Sequence, residues 1–218
     1  MDEQSERTAL LSALTTEHFV LQTANNSTYA EASARSTLYV MALSSSLVAL
    51  GFVASASEVV IAFAAIVLPA VFVLGIFTIA RLVETALESM HCLKGIARIR
   101  GYYRTLGPEA ARHFSPENGR WPEAESPSLR LGSAFAFFGT TASMIAVINN
   151  AVAGVGIALL TRSLGPSAPS WLAVAAGIAG TLVLTWLFYA YQRWRFADFD
   201  SRQPGTGLRR AQGPQQPR

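Results

Sequence analysis

Four uncharged, strongly apolar stretches organise the chain. They read LYVMALSSSLVALGFVA (38–54), VVIAFAAIVLPAVFVLGIFTIA (59–80), AFAFFGTTASMIAVINNAVAGVGIALL (134–160) and WLAVAAGIAGTLVLTWLFYAY (171–191). A bilayer core of ~30 Å takes about 20 apolar residues in a helix, with a workable range of about 17–25. The first stretch is at the short end of that range. The turn Ser55-Ala56-Ser57-Glu58 is so short that the first two stretches must form an antiparallel hairpin. A Gly-, Pro- and Ser-rich link (161–170) does the same for the other two. Pro69 falls within the second stretch, where it removes a backbone hydrogen bond.

Between the hairpins, the residues RLVETALESMHCLKGIARIRGYYRTL (81–106) keep a helical repeat, with Val83, Leu87, Met90, Leu93 and Ala97 on one side. Nothing breaks this helix before Gly107-Pro108, so it should prolong the second apolar stretch into a rod of about 70 Å. The prolines at 108, 116, 122 and 127 mark an irregular loop after it. Upstream, Leu10, Leu14 and Leu21 lie near one face of an expected amphipathic helix, with Arg7, Glu17 and Glu31 elsewhere. That helix would lie on the membrane or pack on the extension of the second stretch. The tail after Arg195 has no apolar repeat and is expected to be disordered. The organisation expected is therefore all-α and polytopic. It comprises a cytoplasmic N-terminal helix (1–36), a first transmembrane hairpin (37–82), a cytoplasmic helix and loop (83–130), a second hairpin (131–195) and a cytoplasmic tail (196–218).

Composition agrees with a membrane as solvent: 51% of residues are hydrophobic and 14% charged, against about 25% charged in soluble domains. The formal charge of +3 does not point to nucleic acid, because the basic residues flank the apolar stretches. Of 17 Lys and Arg, only Arg162 lies in a link on the far side; the other 16 lie in the N-terminal segment, the central segment and the tail. By the positive-inside rule both termini are cytoplasmic. The abundance of Ala and the excess of Arg over Lys look like a GC-rich bacterial genome, and the membrane expected is a bacterial inner membrane. An acidic opening, Met1-Asp2-Glu3, with no apolar run before Leu38, is unlike a cleavable signal.

Candidate chemistry is sparse. No Asp, Glu, His, Lys or Arg falls inside the four apolar stretches, whereas ion-coupled transporters keep an ionisable group near the midplane. Asn149-Asn150 is the notable polar pair within them. About 15 residues into the third stretch, it is expected in the outer half of the membrane, as a helix-contact or pore-lining position. Ser44-Ser45-Ser46 and Thr140-Thr141 can bond their own backbones. Ala173-Gly177 and Ala176-Gly180 allow close helix approach, and Gly154-Val155-Gly156 reads as packing. Arg81 and Glu84, three apart, are expected to pair. Lys94, Arg98, Arg100 and Arg104, with Tyr102 and Tyr103, could hold anionic headgroups or a partner, or form a solvated face. Asn25-Asn26-Ser27-Thr28 contains glycosylation sequons that a cytoplasmic location would leave idle. Cys92 is the one cysteine, so no internal disulfide can form. His91-Cys92 lacks metal-ligand spacing, and no cofactor, metal or catalytic motif is evident.

The stretches TTEHFVLQTA (15–24) and RLVETALESMHCLKGIARIRGYYRTL (81–106) resemble a family of uncharacterised actinobacterial four-span integral membrane proteins. The resemblance covers most of the chain before the tail and implies no activity. The overall plan is also similar, in architecture alone, to small bacterial membrane effectors that are proposed to form pores. The expectation is a non-enzymatic membrane protein in contact with the lipid bilayer. It would self-associate as a homo-oligomer or bind a membrane-protein partner through its cytoplasmic helices, extending to a channel or pore-type effector. The alternative is a small transporter or permease subunit with Asn149 and Asn150 at its site.

Overall fold

The computed structural model describes residues 2–53, 57–114 and 140–201. These form five helices: α1 (Glu3–Val53), α2 (Ser57–Arg104), α3 (Pro108–His113), α4 (Thr141–Leu164) and α5 (Ser170–Ser201). The described residues contain no strand. Four of the helices are long and apolar enough to cross a membrane. The turn at 54–56, the loop beyond Phe114, the first residues of the third apolar stretch and the tail beyond Ser201 lie outside the described residues.

The N-terminal segment is not a separate element. It runs without a break into the first apolar stretch, so α1 has 51 residues and a length of about 77 Å. The reason is visible in the sequence: no glycine or proline occurs before Gly51, and nothing else forces a helix to stop. α2 has 48 residues and carries on through Pro69 to Arg104. Pro108 then opens the short α3, its missing N–H costing nothing in a first turn. α4 is capped by Thr140, whose side chain accepts a hydrogen bond from the Ser143 N–H. α5 continues ten residues past Tyr191, so it too outruns its apolar stretch.

α1 and α2 lie side by side in opposite directions, as the contacts Glu31–Arg81, Asn25–Ser89 and Thr15–Tyr103 show. Along α1 the residues turned toward the protein recur every seven positions: Leu11, His18, Asn25, Ala32, Tyr39, Ser46 and Val53. A seven-residue repeat is the seam of a left-handed helix pair. Here it is built as much from polar as from apolar side chains. Thr28, in the same seam, is buried and bonds the Asn25 carbonyl at 2.7 Å, while Leu21 lies over Gly95 of α2. The amphipathic face expected from leucines is thus only partly used, since Leu14 and Leu21 turn inward but Leu10 is exposed.

The four long helices form a row. α1 packs on α2, α2 on α4 and α4 on α5, with a lighter contact between α5 and α2. The core sits where the row is thickest, around Tyr39, Val71, Ile79, Leu82, Val83, Leu87, Ile145 and Phe188. α2 is its axis. Before residue 78 few of its side chains are buried, whereas Thr78, Ile79, Leu82, Val83, Thr85, Leu87, Ser89, Cys92, Ile96 and Ile99 all are. The apolar stretches, by contrast, show Leu38, Phe52, Ile66, Phe77, Leu182 and Trp186 outward.

Candidate functional site

The buried polar contacts are built from the residues that join α1, α2, α4 and α5. Asn149 is fully enclosed. Its Oδ1 accepts a hydrogen bond from the Tyr39 hydroxyl at 3.1 Å, and its Nδ2 donates to the Phe72 carbonyl at 3.2 Å. Gly75 makes room for it: a Cβ at that position would coincide with the Asn149 carboxamide. One side chain therefore ties three helices together. Asn150 turns the other way and donates to Thr185 Oγ1 on α5 at 3.2 Å. Its carbonyl accepts from Thr181 Oγ1 at 3.3 Å.

Because α4 begins at Thr141, the pair lies eight and nine residues into it, about 12–14 Å along the axis. It is therefore closer to the α4 start than the 15 residues expected from the apolar stretch, whose residues 134–139 lie outside the described set. A second polar contact lies nearer that start. Ser143 donates to Gln192 Oε1 at 3.4 Å, Gln192 reaches Thr140 at 3.5 Å, and both Ser143 and Gln192 are buried. On the other side of the Asn pair, α4 and α5 close on each other through glycine. A Cβ at Gly177 would meet the Gly154 carbonyl at 2.6 Å. Ser46 spends its hydroxyl on the Ala42 carbonyl at 2.7 Å, as hydroxyls within helices often do.

An ionic contact lies where α1 and α2 leave their apolar stretches. Arg81 grips Glu31 with two hydrogen bonds, Nε to Oε1 at 2.7 Å and Nη2 to Oε2 at 3.0 Å, a fork geometry that suits a carboxylate. Arg35 also reaches Glu31, at 2.8 Å, and Arg81 reaches Glu88 at 3.2 Å. Glu84 pairs with Arg195 of α5. The pairing expected between Arg81 and Glu84 is therefore replaced by two pairings between helices, because each side chain has an oppositely charged neighbour on the helix packed against it. The guanidinium groups of Arg81 and Arg35 hold the Glu31 carboxyl down at about 2. Burial pushes the Cys92 thiol up, leaving it a poor nucleophile.

The four basic residues do not form one open patch. The Lys94 ammonium sits over the Phe199 ring, 4.4 Å from its centroid, and Arg100 and Arg104 are half-buried while Arg98 is exposed. Tyr103 stacks on Phe114 at 5.4 Å, holding α3 against α2. Of the sequons, Asn25 accepts from Ser89 at 2.7 Å, so it is an interhelical contact.

Tyr39, Gly75 and Gln192 were not marked by sequence pattern. Tyr39 reads as an interfacial aromatic one residue into its stretch, and Gln192 as the residue just past another. A hydroxyl and a carboxamide bordering apolar runs are the weak cue to an interhelical bond. Among the described residues no three His, Cys, Asp or Glu are grouped to hold a metal. The polar contacts can position helices; nothing in their chemistry supplies a nucleophile with a base.

Comparison with family models, curated proteins and solved structures finds no match, and so nothing there bears on the resemblance to an actinobacterial membrane family.

Proposed function

We propose that this chain is a non-enzymatic multi-pass protein of a bacterial inner membrane, with both termini in the cytoplasm. In this reading α1–α2 and α4–α5 are transmembrane hairpins, and the inner parts of α1, α2 and α5 form a cytoplasmic bundle. The bundle binds a second copy or a membrane-protein partner, a role that extends to a channel or pore-type effector. The observation that carries this is the contrast along α2. Its polar half is enclosed like the core of a soluble protein, yet Phe19, Val20 and Tyr29 on the adjoining part of α1 remain exposed. Large exposed apolar groups on an otherwise well-packed water-soluble element are the usual mark of an interaction surface. The basic asymmetry supports the orientation.

The test is the mass of the protein extracted in discs of native bilayer. A dimer or higher assembly, or a stoichiometric protein partner, is expected, and a bare monomer would overturn the reading. The transporter reading has less support, because Asn149 and Asn150 are both engaged in helix contacts. It would be favoured instead if liposome-reconstituted protein moved a solute and lost that flux on Asn149→Leu with Asn150→Leu while remaining folded.

A further inference from the structure

The outward face of α1 between residues 12 and 37 carries no charge. Every position that the seven-residue seam turns away from α2 is Ser, Ala, Thr, Phe, Val or Asn, and all are exposed. A helix face in water ordinarily carries charged residues, and lipid cannot cover this one if the basic asymmetry sets the membrane, since it precedes the first apolar stretch. The same face continues through Val40, Met41, Leu47 and Val48, also exposed.

We infer that this face is the contact with a second copy of the chain, α1 against α1, with the two helices parallel. The lack of charge points to a copy over another partner, and the position and length of the face leave room for one. Two copies in one membrane share one orientation, so a two-fold contact sets each axial residue beside its own counterpart. A charge there would meet its like, and the twelve outward positions between 12 and 37, all uncharged with Glu17, Glu31 and Arg35 lying off them, meet that requirement. α1 is also the end of the row of helices, so among the described residues no other helix packs on its outer side. The strip from Ser12 to Gly51 is about 60 Å long and ~10 Å wide, or roughly 1,200 Å² for two copies, at the lower edge of a standard stable interface. Small side chains at Thr16, Thr23 and Ser27 would let the backbones approach, and Phe19 and Val20 supply the apolar anchor.

The inference rests on the self-association reading and names its surface. Full-length protein carrying Cys92→Ser and one new cysteine is oxidised in its own membrane. Thr16→Cys and Thr23→Cys should give a disulfide-linked dimer, Arg98→Cys should not, and adding Val20→Asp to Thr16→Cys should slow the cross-link at least tenfold. Equal thermal midpoints for these variants show that folding is intact. Dimers that cross-link from Arg98→Cys alone keep self-association and overturn this contact. Monomers in every variant overturn both. Protection of Thr16→Cys from a water-soluble maleimide, without a cross-link, places lipid or another part of the same chain on the face and also overturns it.

Discussion

The two halves of α2 are held by different forces. Beyond residue 81 it is packed as in water: Leu82, Val83, Leu87, Ile96 and Ile99 are buried, each side chain of that kind contributing about 1.5–3 kcal/mol through the hydrophobic effect. Before residue 78 most side chains other than Ala64 and Val71 face outward or are only half-buried, and in lipid there is no gain in hiding them. What fixes that half is shape and hydrogen bonding, with Gly75 accepting Asn149 and Phe72 offering its carbonyl. The same helix thus obeys two rules, and the change falls near the Glu31–Arg81 contact.

The sharpest way to break this contrast is to trim one leucine from each environment. Leu87→Ala should cost about 2–5 kcal/mol, the range for a buried leucine. Leu182→Ala, at a side chain 64% exposed on an apolar stretch, should change stability in bilayers by less than about 0.5 kcal/mol. Equal losses in a reversible unfolding assay would show that α5 packs against protein there. Next in size is Gly75→Leu, which drives a side chain into Asn149 and should cost about 1–3 kcal/mol or more. Gly51→Leu, with open space around it, should be tolerated, and the comparison of the two midpoints checks the fit of α4 on α2. Asn149→Leu and Tyr39→Phe should each cost about 0.6–1.7 kcal/mol. A double-mutant cycle should find them non-additive; full additivity would mean the hydroxyl and carboxamide act separately.

The smallest effect at neutral pH is expected from Glu31→Gln, because that carboxylate is a third exposed and screened by water. Its signature is a pH dependence. The folded-state value is depressed from 4.5 to about 2, so the stabilisation is present above about pH 4.5 and is lost as pH falls from there toward 2. Corrected for the intrinsic pH dependence of exchange, amide protection across residues 20–31 should fall in that window in the native chain and be flat in Glu31→Gln.

Much of this architecture was legible in order along the chain. Uncharged runs of spanning length mark four apolar helices, and the repeat of Val83, Leu87 and Leu93 with no breaker before Gly107 marks the extension of α2. The unity of α1 was obscured because the chain changes from polar to apolar near residue 37, where the boundary was expected, although the lack of any Gly or Pro before Gly51 pointed the other way. Its seam escaped a search for leucines because His18, Asn25, Ala32 and Ser46 occupy it. The partners of Arg81 and Glu84 could not be read at all: a charge pairs with whatever the fold brings beside it, and Glu31 and Arg195 are 50 and 111 residues away in sequence. Asn149 and Asn150 were conspicuous, whereas the Gly75 that receives one of them is a common residue in an apolar helix.

The bond between Tyr39 and Asn149 also sets a schedule. The two residues are 110 apart in sequence, and at a translation rate of about 5–20 residues per second they emerge from the ribosome roughly 5–20 s apart. Until α4 has been made, neither the Tyr39 hydroxyl nor the notch at Gly75 has its Asn149 partner. A chain cut short after α2 would lack the partner of both, leaving an unmet hydroxyl and an unfilled notch on the α1–α2 pair.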